Sequence, residues 1–357
     1  MKKRVLCAMS GGVDSSVTAV LLKEQGYDVI GVSMKLAEAP ADAEAKVSGC
    51  CSVKDFNDAR SICASLGIPF YSMNFKEEFK EKVMNTFVKE YLMGRTPNPC
   101  VLCNQEIKFD AFLAKAEELE ADFVATGHYA RVEQDDAGRY RLLKGRDPNK
   151  DQSYFLFSLR QKDLSKILFP VGDLTKPEVR ELARKYNLKT KDKPESQEIC
   201  FVPNDDPGAF IESYAKVGES GDFIDMTGKV VGRHRGIHHY TIGQRRGIQV
   251  AMGKRFYVQK IDAALNQVTL AEDQELFHDR LFASQVSWVG YQPEAQEVIQ
   301  AKIRYRSQAE NCRVICLEEG KFEVDFEEPQ RAISPGQAIV FYQGDEVLGG
   351  GWIDQAL

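Results

Sequence analysis

Residues 4–22 read Arg4-Val-Leu-Cys-Ala-Met-Ser-Gly-Gly-Val-Asp-Ser-Ser-Val-Thr-Ala-Val-Leu-Leu22: an apolar run, a glycine pair among hydroxyls, then a second apolar run. That order predicts a buried strand over 4–9, a tight turn, and a helix over 14–25. Gly11 and Gly12 carry no Cβ, so backbone amides there can approach an anion closely. Ser10, Ser15 and Ser16 add hydroxyls beside the positive end of the helix dipole. A nucleotide phosphate is the natural guest of such a turn. No G-x-x-x-x-G-K-[ST] string occurs, and without its lysine the loop does not suit gripping β/γ-phosphates for γ-transfer.

Outward from this turn the first half alternates. Strands are expected over 27–34, 68–73 and 122–127, and helices over 53–65, 75–92 and 105–119. Alternation of this kind implies a parallel sheet wrapped by helices, with ligands at the carboxyl ends of its strands. The Ser10 turn, Met34 and the Thr126-Gly127-His128 turn should therefore converge on one nucleotide, although a methionine at a strand end is also ordinary core. A further helix is expected over 176–187, and the alanine- and acid-rich stretch 36–51 reads as an insertion. After about Pro203 the texture changes to short strands separated by glycines. The expected organisation is an α/β domain over 1–206, a small β-rich domain over 207–278 and a β-barrel-like domain over 279–357.

With 357 residues the chain is long enough for two or three domains. Nothing in it resembles a signal peptide or a bilayer-spanning stretch, so a cytoplasmic protein with no membrane partner is expected. Nine cysteines in such a chain argue for redox, metal or sulfur chemistry at a subset rather than a disulfide scaffold. Cys7 and Cys63 read as core. The net charge of −6 does not advertise a nucleic-acid binder, yet residues 231–260 hold seven Lys/Arg, three histidines and no Asp or Glu. Such a stretch is either a solvated face or a surface for phosphates and stacked bases.

The second dense motif is Arg95-Thr-Pro-Asn-Pro-Cys-Val-Leu-Cys-Asn-Gln-Glu-Ile-Lys-Phe109. Cys103 is expected just ahead of the 105–119 helix, where the dipole lowers a thiol's pKa. Cys200, between Glu195-Ser-Gln-Glu-Ile199 and Phe201, stands far away in sequence, also at the edge of the α/β domain.

Taken together, the glycine turn, the P-N-P-x-x-x-C-N-x-x-I-K-F string, the T-G-H-Y turn, K-D-Q-S-Y-F at 150–155 and S-Q-E-I-C-F at 196–201 resemble the tRNA-specific 2-thiouridylases, the MnmA/TrmU family. The turn itself resembles the PP-loop of ATP pyrophosphatases. Gly243-Gln-Arg-Arg-Gly247, Arg304-Tyr-Arg306 and Ser334-Pro-Gly-Gln337 agree as well. The resemblance implies sulfur insertion at position 2 of the wobble uridine in tRNAs for Lys, Glu and Gln, with ATP and Mg²⁺ activating the carbonyl. It implies ATP binding by Ala8, Met9, Ser10, Gly11, Gly12, Val13, Asp14, Ser15, Met34 and Gly127, with Asp14 ordering Mg-ATP. Cys200 matches the family's persulfide carrier and Cys103 its catalytic cysteine. The tRNA contacts it implies are Asn98, Pro99, Cys100, His128, Lys150, Asp151, Gln152, Arg245, Arg246, Tyr305, Arg306 and Gln337, with both β-rich domains touching tRNA. A sulfur donor, either a cysteine desulfurase or a sulfur-relay protein, is the implied second partner.

One departure matters: many family members carry Asp where this chain has Cys100, giving a C-x-x-C here. Cys100, Cys103 and Cys200 could ligate a [4Fe–4S] cluster with one iron open to sulfide. Zinc would want a fourth ligand, and Cys50-Cys51 on the insertion could approach. Two other readings stay open at this point. One is a different PP-loop ligase, in which an amine attacks the adenylate. The other is a non-catalytic RNA-binding protein that holds ATP as a structural ligand.

Overall fold

A computed structural model describes residues 2–37, 52–195, 199–250, 253–318 and 320–357. The expectations placed on Cys50, Cys51 and Ser196-Gln197-Glu198 lie outside the described residues. The chain forms two compact units. The first comprises Met1–Val83, Cys100–Asp205 and Asp345–Val347; the second comprises Met84–Pro99, Asp206–Gly344 and Leu348–Leu357.

The first unit is built on β1 (Arg4–Ala8), whose Val5, Leu6 and Cys7 are fully buried. An uninterrupted apolar strand of this kind belongs in a sheet covered on both faces. β1 pairs in parallel with β2 (Asp28–Lys35) on one side and β4 (Phe123–Ala125) on the other. β3 (Phe70–Asn74) extends the sheet beyond β2, and the short strand Ile167–Leu168 extends it beyond β4, all in parallel. The helices α1 (Val13–Glu24) and α2 (Val53–Leu66) pack on this sheet through Val17, Val20, Ala59, Ile62 and Cys63. Cys7 and Cys63 are core, as expected, and burial pushes both thiols up, Cys63 to about 11.

The helix expected over 176–187 runs Lys176–Lys185, opened by a Thr175/Glu178 capping box with Pro177 in its first turn. The helix expected over 75–92 comes out as Lys76–Phe79, a π-helical stretch Lys80–Met84, and Asn85–Leu92. The larger correction concerns the helix expected from 105. It begins at Pro99, runs α-helically to Leu102, π-helically over Cys103–Ala111, and α-helically again over Phe112–Glu118. Pro99 occupies a first-turn position, where a missing N–H and a fixed φ cost nothing. Cys103 is therefore inside the helix and does not sit at its N-terminus; the cysteine in the first turn is Cys100.

In the second unit, Gln267–Ala271 pairs antiparallel with Tyr257–Asp262 and parallel with Gly221–Ile224, which pairs in turn with Val230–His234. Phe223, Tyr240, Val258, Val268 and Leu270 form the core of this small sheet. The larger sheet runs Phe277–Trp288, Lys321–Arg331, Glu310–Glu318, Ile299–Lys302, Ala338–Gln343. Phe277–Trp288 also pairs with Glu346–Ala356, from Leu281 against Ala356 to Trp288 against Gly349, which closes the ring into a barrel. Leu281, Val324, Ile339, Phe341 and Ile353 fill it. A parallel sheet with flanking helices followed by two small β modules is the fold class read from the sequence.

Candidate active site

A cavity of about 200 Å³ opens at the carboxyl edge of the parallel sheet. β1 and its turn contribute Ala8, Met9, Ser10, Asp14 and Ser15, β2 contributes Val32 and Met34, and the turn after β4 contributes Thr126, Gly127 and His128. Lys108 and Gln152 complete its polar lining, with Leu36 on the apolar side. Ser10, Met34 and Gly127, far apart in sequence, thus meet in one hollow. Gly11, Gly12 and Val13 are not in its lining and shape the turn from behind.

That turn is tightly specified. Gly11 has φ +72°, and a Cβ on it would come within 2.2 Å of the Asp55 carbonyl oxygen. Lys193 donates to the Gly11 carbonyl at 2.8 Å, to Asp58 at 2.9 Å, and to Asp55. Lys189 reaches Asp58 at 3.2 Å. On the other side Gly127 leaves space where a Cβ would lie 2.8 Å from the Ser15 amide. Ser15 and Ser16 donate to the Gly12 carbonyl at 3.2 and 2.7 Å. No side chain caps the first turn of α1, so its amides retain their capacity for an anion.

Asp14 is the charged centre of the hollow. Its Oδ1 accepts from the Tyr129 hydroxyl at 2.8 Å, and Lys176 Nζ lies 2.7 and 2.8 Å from its two oxygens. Lys176, nearly buried, also pairs with Glu195 at 2.9 Å, and Lys150 donates to Glu195 at 2.6 Å. Burial alone would raise the Glu195 carboxyl, but the hydrogen bonds from Lys150 and Lys176 outweigh it and hold it at about 2. Burial, followed by the charge of Asp14, pushes the Tyr129 phenol far up. His128 is buried, its Nδ1 lies 2.6 Å from Thr126 Oγ1, and burial with Lys108 nearby holds it well below the usual imidazole range. It is a neutral ring.

The cysteines of interest belong to the same unit. Cys100 is exposed by surface area, and desolvation by the protein around it pushes its thiol up to about 11, with Cys200 adding to the rise and Lys108 opposing it. Cys103 is buried and Cys200 half-buried. Cys100 and Cys200, distant in sequence, thus lie within electrostatic reach of each other and of the lysine that lines the cavity.

The residues expected at tRNA divide by what they touch. Gln152 lines the cavity and accepts from the Tyr129 amide at 3.0 Å, and Asp151 accepts from Gly145 and Ser153. In the second unit Gln337 donates to the carbonyls of Thr96 and Pro97 at 2.8 and 3.2 Å, fixing the backbone that leads to the half-buried Asn98 and buried Pro99. Arg245, Arg246 and Arg306 are exposed, and Tyr305 is half-buried. Sequence reasoning missed Lys176, Lys193, Asp55 and Lys108. For Lys108 the I-K-F string was a usable signal; for Lys176 only its place in a helix cap was visible.

Three family models cover the chain: "tRNA methyl transferase HUP domain" over residues 3–204, "tRNA methyl transferase PRC-barrel domain" over 208–272 and "Aminomethyltransferase beta-barrel domain" over 278–353. The chain is 52% identical to a tRNA-specific 2-thiouridylase MnmA of Geotalea uraniireducens, over 100% of this chain and 96% of that one. It is 51% identical to that of Carboxydothermus hydrogenoformans, covering 100% and 99%, and 48% identical to that of Clostridium acetobutylicum, covering 99% and 100%. Among solved structures, an NMN synthetase from Francisella tularensis aligns at a TM-score of 0.34 and 17% identity, over 55% of this chain and 66% of that one, too remote to carry an argument. Matched from end to end at about half identity, this chain belongs to the tRNA-specific 2-thiouridylase family.

Proposed function

We propose that this chain is an ATP-dependent tRNA 2-thiouridylase that replaces the C2 oxygen of the wobble uridine in tRNAs for Lys, Glu and Gln with sulfur. The observation that carries the reading is the end-to-end match at about half identity to tRNA-specific 2-thiouridylases, with Cys100, Cys103 and Cys200 all in the unit that holds the cavity. Neither an amine-accepting ligase nor a passive nucleotide binder needs thiols there.

ATP supplies the adenylyl group that turns a poor leaving oxygen into AMP. The residues suit it: uncapped α1 amides and the serine hydroxyls face the phosphates, Met34 and Val32 offer apolar surface to the base, and Asp14 with Ser15 gives the hard oxygen donors Mg²⁺ prefers. In the sulfur step the Cys103 thiolate attacks the inner sulfur of a Cys200 persulfide. A Cys103–Cys200 disulfide forms, hydrosulfide leaves, and it displaces AMP at C2; an external thiol then reduces the disulfide. A cysteine desulfurase or sulfur-relay protein loads Cys200. Asn98 and Pro99 meet the extruded base, His128 is a further tRNA contact, and the exposed Arg245, Arg246 and Arg306 meet phosphates. The division at 1–206, 207–278 and 279–357 is part of this reading, supported by the three family matches.

Cys100 favours a second route through the same thiols. Cys100 and Cys103 stand one helical turn apart in a continuous helical run, and Cys200 is close enough to act electrostatically on Cys100; three such soft sulfurs are the donor type a [4Fe–4S] cluster takes. Such a cluster would supply an iron open to sulfide.

Cys103→Ser and Cys200→Ser are each expected to abolish 2-thiouridine, measured by mass spectrometry of tRNA nucleosides, while Cys7→Ser retains it. Thiolation persisting in Cys200→Ser overturns the persulfide role. Iron-free protein given ATP, Mg²⁺, tRNA and a persulfide donor separates the routes. Turnover there eliminates an obligatory cluster, and Cys100→Asp then works in air. Brown anaerobic protein with about four irons per chain, lost in Cys100→Ser, supports the cluster.

A further inference from the structure

Glu212, His238 and His239 stand outside everything assigned to the reaction. Glu212 lies in the helix Pro207–Tyr214, and the two histidines lie in the 3-10 turn Ile237–His239. His239 Nε2 is 2.9 Å and His238 Nε2 3.4 Å from the same carboxylate oxygen, and the three candidate donor atoms lie within 4.8 Å of one another. We propose that these residues form a site for a divalent transition ion of the Zn²⁺ or Co²⁺ class, bound by two imidazole Nε2 atoms and one carboxylate, with solvent completing the shell.

The donor set and spacing carry the assignment. Tetrahedral bonds of about 2.0–2.1 Å put neighbouring ligand atoms roughly 3.3 Å apart, so the ion needs little rearrangement of these side chains. Both rings are held in place by glycines: a Cβ on Gly208 would come within 2.0 Å of His239 Nδ1, and one on Gly236 within 2.5 Å of His238 Cε1. The imidazole side chains are 0% and 4% exposed, whereas that of Glu212 is 46% exposed and leaves an entry path.

Both Nδ1 atoms are buried without a partner. Without metal, Nε2–H donates to Glu212 and each Nδ1 is an unmet acceptor; with metal, the proton sits on Nδ1 as an unmet donor. One buried ring nitrogen per histidine is unsatisfied either way, so this cost does not oppose the ion. A bound ion would brace the 207–214 helix against the turn that leads into Tyr240 and, a few residues on, Arg245.

Cobalt(II) titration of the full-length Cys100→Ser/Cys103→Ser/Cys200→Ser variant tests this without interference from those thiols. The expected result is one equivalent bound with tetrahedral ligand-field bands and no sulfur-to-cobalt charge transfer. Affinity should fall about tenfold or more in Glu212→Gln, an exposed isosteric change that leaves the fold intact, and likewise in His239→Ala. Zn²⁺ should raise the melting temperature of the wild-type chain, reversibly with EDTA, and not that of Glu212→Gln. Equal binding by the wild-type and Glu212→Gln sites, or binding through sulfur only, overturns the proposal.

Discussion

Asp14 shows how one residue's meaning changes between sequence and structure. In the sequence it is an acid in a phosphate turn; in the fold both of its oxygens face Lys176 and one also accepts from Tyr129. Lys176 joins it to Glu195, the residue just ahead of the segment carrying Cys200. The glycine turn and the stretch leading to Cys200 therefore share one cation. Lys176→Met is expected to lower kcat/KM for ATP, read as pyrophosphate release, by about tenfold or more, equivalent to ~1.4 kcal/mol, with Lys176→Arg recovering part of it. Unchanged release in Lys176→Met would reduce this lysine to a structural role. Glu195 gives a pH signature. Its folded carboxyl is held at about 2, below the ordinary 4.5, so its stabilising contribution is complete above the ordinary value and is lost as pH falls from there toward 2. Glu195→Gln should therefore lower the melting temperature at pH 7, and the gap to wild type should narrow steadily as unfolding is repeated at lower pH. A gap independent of pH sinks the assignment.

At the scale of elements, strand, turn and helix around Ser10 were legible because a run of buried apolar residues and a glycine pair are local signals. The helix beginning at Pro99 was not, because two prolines read as a stiff approach when one of them is a helix-starting residue. The π-helical stretch Cys103–Ala111 has no sequence signature at all; it is a product of packing that sets Ile107 and Phe109 into the core. The buried ion cluster of Lys193, Asp55 and Asp58 escaped for a related reason, since its members meet only after α2 and the chain beyond Lys185 are both in place. Gly127 tests how closely the elements must fit. It has ordinary negative-φ backbone freedom, but a Cβ there would press within 2.9 Å of backbone atoms of Ser15 and Asp14. Gly127→Ala is expected to raise the KM for ATP about tenfold or more and to lower the melting temperature as well, because the clash is with backbone at the buried start of α1, which must shift to relieve it. A large loss of melting temperature with unchanged KM would show that the glycine serves packing instead.

For the whole molecule, the division of charge between the units is what the sequence made hardest to weigh. An overall charge of −6 argues against nucleic acid, whereas the acid-free stretch 231–260 argues for it. The fold spends part of that stretch internally: Arg233 lies near Asp222, Lys254 pairs with Glu272 and Lys260 with Asp262, and His234 and His238 are buried. Arg245 and Arg246 remain exposed on the turn between the small sheet's strands, and no helix among the described residues is long and apolar enough to cross a membrane. The cavity and the thiols lie in the first unit and these arginines in the second, so on the proposed function binding and chemistry should separate. Arg245→Ala/Arg246→Ala is expected to weaken tRNA binding at low salt and to flatten the slope of log Kd against log salt by about one to two, as each lost phosphate contact removes a counterion-release step. Lys2→Ala/Lys3→Ala, at an exposed terminus, should leave that slope unchanged. At saturating tRNA the arginine variant should still release pyrophosphate at close to the wild-type rate. If its salt slope matches wild type, these arginines are solvated surface and tRNA is held elsewhere; if the slope flattens and the saturated rate also collapses, the two units act as one site.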